Sequence, residues 1–238
     1  MRTTKLGVLG IFGAGAFLAF ALVGSASATP ICSTDPCSIS FDLYDGSGGP
    51  PPGPYASMML TGDGAGNVGV DLSPTSGMGF VSTGAGETLL FDLSGTSTIT
   101  ITGLTSGFKL LNSTGNCATS CTASDGSIHA DGTGTWQFAI DCSTACGTGG
   151  NMPFTGHVKF TIDGISVSQF VVNGNGFSFG SDICTHVGQS GCTGLTGDIT
   201  AGNGTLQQVP EPATLSLFGT GLLALGAMAR RRRKAKNA

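Results

Sequence analysis

Apolar side chains in this chain return at every second position, in short runs interrupted by glycine and polar residues. The runs are Ile39/Phe41/Leu43, Val68/Val70/Leu72, Leu89/Phe91/Leu93, Ile99/Ile101, Trp136/Phe138/Ile140, Val158/Phe160/Ile162 and Ile165/Val167. Successive side chains of a strand point to opposite faces, so a period of two gives each run one apolar and one polar face. A helix needs apolar spacings of three and four with caps, and residues 29–209 offer no such segment. The expected fold is therefore mostly β: a single β-sandwich or jelly-roll-like domain over residues 29–207, with roughly ten to thirteen strands. A chain of that length buries around two-thirds of its unfolded surface.

Without that alternation, the abundance of Gly, Ser and Thr would read as disorder. Within the domain, Phe154 to Val172 reads as a hairpin. Asp163-Gly164 serves as its two-residue turn, setting Ile162 against Ile165 and Phe160 against Val167. Trp136 shares phase with Phe138 and Ile140 and is expected to be buried rather than exposed as a sugar-binding platform. The Gly48–Pro54 run reads as an exposed loop, with Tyr44 and Tyr55 flanking it as candidate surface contacts.

Charge is distributed unevenly. Of ten Lys and Arg, only Lys109 and Lys159 lie between residues 29 and 209, against thirteen of the fourteen acids, a net charge near −11. Nucleic-acid binding scales with the cations that neutralise phosphate, so this domain excludes that class of partner.

All eight cysteines fall in the same segment as close couplets: Cys32/Cys37, Cys117/Cys121, Cys142/Cys146 and Cys184/Cys192. An even count in an exported segment reads as disulfides, and the tight spacing favours four local bridges. Exchange between the 117/121 and 142/146 couplets is the alternative, and a zinc ribbon a more distant one.

No catalytic or metal-binding constellation stands out, and no cofactor is expected. Asp45, Asp63, Asp125, Asp131 and Asp163 each precede Gly, which is turn chemistry before it is calcium chemistry. Asp63-Gly64-Ala65-Gly66-Asn67 is the one loop able to offer several oxygens. Glycoside hydrolysis needs two carboxyls about 5–9 Å apart, and nothing in the order of residues brings Asp42, Glu87, Asp92 or Asp141 together. His129, His157 and His186 sit in separate segments, and Ser127 or Ser190 lacks the nucleophile-elbow context of a hydrolase. Asn112-Ser113-Thr114 and Asn203-Gly204-Thr205 match the minimal glycosylation sequon.

The two ends carry addresses. Arg2 and Lys5 precede an apolar stretch from Leu6 to Val23, and Ala26-Ser27-Ala28 supplies the small residues a signal peptidase requires. Residues 1–28 are expected to be a signal peptide cut after Ala28. At the other end, Pro210-Glu211-Pro212 is followed by the uncharged Ala213 to Ala229, then by Arg230, Arg231, Arg232, Arg233 and Lys234. Those seventeen uncharged residues span about 25 Å as a helix, near the lower limit for crossing a bilayer. The basic cluster keeps to the cytoplasmic side, which places residues 29–209 across the membrane. Pro210 and Pro212 cannot continue a helix and hold Glu211 in extended chain.

The order V-P-E-P-A-T, apolar span, arginine run resembles the PEP-CTERM sorting signal of exopolysaccharide-producing diderm bacteria, over residues 208–236. The resemblance implies recognition by an exosortase, a membrane-embedded cysteine transpeptidase-like enzyme, with Pro210, Glu211 and Pro212 as the recognition motif. The expected partners are that exosortase, signal peptidase, the cytoplasmic membrane before processing and exopolysaccharide. The expected function is a non-enzymatic, surface-sorted envelope or matrix protein associated with exopolysaccharide or biofilm. A carbohydrate-active hydrolase and a calcium-dependent lectin-like module are the alternatives.

Overall fold

Alternation becomes strand pairing in the computed structural model of the protein, which describes residues 30–44, 53–83, 87–130, 133–147 and 150–202. The expected signal peptide, sorting motif, transmembrane segment and basic cluster lie outside the described residues.

In chain order the first strands are β1 (Cys37–Phe41), β2 (Leu43–Tyr44), β3 (Ala56–Gly62), β4 (Asn67–Pro74), β5 (Gly79–Phe80), β6 (Leu89–Leu93) and β7 (Thr98–Thr102). Then come β8 (Phe108–Leu110), β9 (Thr114–Asn116), β10 (Ser120–Ser124), β11 (Ile128–Ala130), β12 (Gly134–Trp136) and β13 (Phe138–Cys142). The last are β14 (Val158–Asp163), β15 (Phe170–Val171), β16 (Phe179–Cys184), β17 (Val187–Gly188), β18 (Gly191–Cys192) and β19 (Thr196–Ala201). Nine of these strands have only two or three residues, too few for a period of two to register, which is why the sequence suggests a smaller number.

All pairing is antiparallel. The first sheet runs β1-β3-β4-β14-β7-β10-β9, and the second runs β2-β19-β16-β6-β13-β8, with β15 on the edge of β6 and β5 on the edge of β16. One core lies between them. The first sheet contributes Phe41, Met58, Leu60, Val70, Leu72, Ile101 and Phe160, and the second Phe91, Phe138, Ile140, Phe179, Ile183 and Ile199, all buried. Phe41 of β1 meets Phe179 of β16 across the gap, ring centroids 6.5 Å apart. Since burial of such side chains is the main favourable term in folding, this shared cluster holds the two sheets together.

One expectation fails where the chain changes sheets. Asp163-Gly164 makes no hairpin: β14 already pairs with β4 on one side and β7 on the other, so neither edge is open for a returning strand. Gly164, at φ 75°, instead turns the chain out of the first sheet. A 3-10 turn, Val167–Gln169, then delivers it to β15 beside β6. Ile165 and Val167 are buried along that crossing.

Trp136 is buried as expected, at 1 % exposure, in a different cluster from Phe138 and Ile140. It belongs to a second cluster with Leu90, Ala130 and Ala139 on the outer side of the second sheet, where the β11–β12 hairpin folds over. The phase breaks at Gln137, whose backbone N–H donates to Asp92 Oδ1 at 2.7 Å while its side-chain oxygen accepts from the Leu93 N–H at 2.8 Å.

The cysteines form the four local bridges: Cys32–Cys37, Cys117–Cys121, Cys142–Cys146 and Cys184–Cys192. Closing so short a loop removes little unfolded-chain entropy. Replacing Cys142 and Cys146 by serine is expected to cost about 2 kcal/mol, and replacing Cys184 and Cys192, which close a longer loop, about 2.5 kcal/mol. Urea midpoints at unchanged m report both values.

Candidate functional site

Several carboxyl groups lie on the outer face of the second sheet, where alternation along each strand dictates their side. Phe179 and Ile183 face the core, so Asp182 between them faces out. The same logic turns out Asp198 beside Ile199, Asp141 between Ile140 and Cys142, and Lys109 between Phe108 and Leu110. Register then aligns them. Asp182 stands directly opposite Asp198, and Asp141 opposite Lys109. Thr88, one residue before core-facing Leu89, comes between Asp182 and Asp141 in strand order.

The row is dry on β19, on β16 and just before β6, whereas Asp141 is half-buried and Lys109 exposed. Asp182 is 1 % exposed, Asp198 7 % and Thr88 0 %. The Thr83 N–H and hydroxyl both donate to Asp182 Oδ2, at 2.7 and 2.6 Å, and the Asp182 N–H donates to the Glu87 carbonyl at 2.9 Å. Lys109 Nζ lies 3.1 Å from Asp141 Oδ2. Glu87 Oε2 and Thr88 Oγ1 are buried with no hydrogen-bond partner. Burial first, then the charges of Asp141 and Asp182, push the Glu87 carboxyl up to about 7, with Lys109 opposing. Burial likewise raises the Asp92 carboxyl, against the hydrogen bond from the Gln137 N–H.

The outer face of the first sheet is exposed and rich in hydroxyls. Ser57 Oγ and Ser73 Oγ approach to 3.2 Å, as do Thr100 Oγ1 and Thr122 Oγ1. Asp71 is clasped by His157 Nδ1 at 2.6 Å and Lys159 Nζ at 2.7 Å. Partial burial raises its carboxyl, but hydrogen bonds from Lys159 and His157 prevail and hold it below the usual carboxylate range. A cleft of about 260 Å³ opens where β1 meets β19, lined by Ile31, Ile39, Ser40, Asp42, Ser178 and Ala201 among others. Ser40 Oγ donates to Asp42 Oδ1 there at 2.8 Å.

The other candidate residues are dispersed. His129 Nδ1 pairs with Thr135 Oγ1 at 3.0 Å within the β11–β12 hairpin, far in the fold from the His157–Asp71 contact. The carbonyl of His186 accepts from Thr193. Asp63 closes the β3–β4 turn: its carboxylate accepts from the Asn67 side chain at 2.7 Å and from the backbone N–H groups of Ala65 and Asn67. Those bonds, the Asn67 side chain's first, hold its carboxyl below the usual range. Asp45, Asp131 and Asn203 lie outside the described residues.

Of the two tyrosines beside the proline-rich run, Tyr55 is not a surface contact. Tyr55 is 4 % exposed, and Tyr44, half-buried, stacks near it at 5.9 Å and donates its hydroxyl to the Thr196 carbonyl. Burial, then the charge of Asp42, raises the Tyr55 phenol. Among the described residues, no group of three His, Cys, Asp or Glu is placed to hold a metal ion.

Asp182, Asp198, Thr88 and Lys109 escaped the sequence reading. The available signal was an Asp inside an otherwise apolar strand, twice: Phe179-Gly180-Ser181-Asp182-Ile183 and Gly197-Asp198-Ile199. A charged residue seldom occupies such a position unless it is paired.

No curated protein and no solved structure matches the chain. One family does match it: the PEP-CTERM protein-sorting motif, at residues 208–233. The match covers the Pro-Glu-Pro triplet, the uncharged span and the arginine run in the order the motif requires. The chain thus carries a PEP-CTERM protein-sorting motif at its C-terminal end, the mark of an exported protein sorted by an exosortase.

Proposed function

We propose that this is a non-enzymatic protein of the cell surface or extracellular matrix, associated with exopolysaccharide. On this reading signal peptidase removes residues 1–28. Ala213 to Ala229 then holds the chain in the cytoplasmic membrane, with Arg230–Lys234 inside, until an exosortase acts at Pro210-Glu211-Pro212. The body between is a β-sandwich facing outward. The observation that carries the proposal is the sorting-motif match at residues 208–233, behind a strongly acidic domain clipped by four disulfides. Burial of Asp182 and Asp198 supports a body without catalysis by those two carboxylates, because a sugar substrate has no route to Asp182 at 1 % exposure.

Mass spectrometry of the mature protein from its own cell is the test. The expected product begins at Thr29 and ends near Pro210–Pro212. Recovery of an intact Arg230–Lys236 tail overturns the sorting step.

One observation favours a second reading. A Glu87 carboxyl pushed up to about 7, by burial first and then by the charges of Asp141 and Asp182, has the raised acid that a glycosidase needs. That reading requires the purified protein to release reducing sugar from the cell's exopolysaccharide and the Glu87→Gln variant to lose the activity. The proposal expects no release from either.

A further inference from the structure

The outer face of the first sheet carries almost none of the acidity of its domain. Along β1, β3, β4, β7, β10 and β14, alternation turns eighteen residues away from the core, and none of them is buried. Twelve are Ser or Thr, none is aromatic, and only Asp71, Lys159 and Asp163 are charged. Lys159 Nζ meets the Asp71 carboxylate at 2.7 Å, so the face sums to −1, against near −11 for residues 29–209.

Register sets the hydroxyls in rows that cross the strands. Ser40, Ser57 and Ser73 form one row, and Thr100, Thr122 and Thr114 belong to another. Strands lie about 4.8 Å apart, so a row crossing all seven reaches on the order of 25–30 Å. Thr102 and Thr161 stand opposite each other between those rows, and their hydroxyls bond to no other described residue.

We propose that this face binds a neutral, extended polysaccharide; the inference rests on the exopolysaccharide association proposed above and names its chemistry. A hydroxyl both donates and accepts, as a sugar hydroxyl does, so two such arrays pair without stranding a donor or an acceptor. Strand pairing holds the protein's array in place before the ligand arrives, which lowers the entropy lost on binding. The charge of the domain selects the partner. An acidic polysaccharide is repelled by a body near −11, whereas a neutral chain meets the one broad face where that charge is nearly absent. With no aromatic ring on the face, hydrogen bonds rather than ring stacking carry the contact.

Cosedimentation of the purified mature protein with insoluble cellulose, with alginate gel as the acidic counterpart, tests this. The expected result is saturable binding to cellulose, unchanged from about 50 to about 500 mM sodium chloride, and none to alginate. Thr102→Val with Thr161→Val removes two hydroxyls and keeps the β-branched shape that strands favour. Binding by that double variant is expected to weaken roughly 5- to 150-fold while Tm is kept. Thr135→Val, on the exposed side of the β11–β12 hairpin, should bind as the unchanged protein does.

Failure of the unchanged protein to bind cellulose overturns the proposal, and so does undiminished binding by the double variant. Equal or stronger binding to alginate also overturns it. A dimer that the double variant disperses would make a second copy of the chain the occupant instead. Should the double variant fail to fold, the salt series on the unchanged protein decides, because binding lost at about 500 mM marks a charge contact. Cosedimentation with the exopolysaccharide of its own cell separates this inference from the reading beneath it. Retention of both proteins there keeps the association and sinks the face, and retention of neither sinks both.

Discussion

Replacing Glu211 by alanine is expected to leave the protein in the membrane fraction with its C-terminal arginines still attached. Glu211 is the one charged residue of the Pro-Glu-Pro triplet, and the flanking prolines hold it in extended chain. Hydrogen bonds to a charged group are worth about 1.5–3 kcal/mol, so losing them weakens recognition roughly 10- to 150-fold. Glu211→Gln keeps the shape without the charge and is expected to fall between alanine and the unchanged residue. Immunoblots against the Arg230–Lys236 tail in membrane and released fractions read the outcome. Glu211 lies outside the described residues, which end at Gly202, and the Tm of that body is expected to be unchanged. Normal release of the Glu211→Ala protein would show that the exosortase reads some other part of the tail.

Replacing Phe91 by alanine is expected to destabilise the body by about 3–5 kcal/mol, the range for deleting a large buried aromatic. Phe91 is 0 % exposed and occupies a junction in the second sheet, where its backbone pairs with Phe138 on one side and Phe179 on the other. Its ring lies 5.5 Å from that of Phe138 and 5.9 Å from that of Phe170. Both sheets pack on this cluster, so the cavity cannot be closed by moving one loop. Leu43→Ala is the contrast. Leu43 continues the same alternating pattern as Ile39 and Phe41 but is 45 % exposed, and its loss should cost under about 0.5 kcal/mol. Denaturant midpoints for the two variants measure the difference. Equal costs would mean that the burial pattern described here is wrong.

The site was less legible than the strands for a physical reason. Asp92 and Asp141 alternate with apolar neighbours and so read as solvent-facing, but a strand's own period cannot say whether its outer face meets water or another layer. Here the β11–β12 hairpin and the segment around Thr83 cover part of that face, which buries Asp182 and leaves Asp92 and Asp141 half-buried. Tyr44 and Tyr55 show the same limit in reverse. Beside a proline-rich run they read as exposed, but Tyr55 is buried and Tyr44, packed against it, is half-buried.

What the sequence determined by itself is whatever depends on near neighbours along the chain. The period of two set the strands and their inward faces, the close couplets set the four disulfides, Asp63 with Asn67 set a hairpin turn, and the Pro-Glu-Pro, span and arginine order set the sorting motif. What only tertiary structure decided is where the chain leaves one sheet for the other. At Asp42 the alternation of Ile39 and Phe41 loses its phase before Leu43, and after Asp163 the expected hairpin becomes a crossing. At Gln137, Trp136 departs to the outer cluster while Phe138 stays in the core. In each case the periodic signal continues through the break, because a run of alternating side chains records that a face is apolar and not which layer it packs against. That choice depends on which strand edges other, distant segments have already occupied.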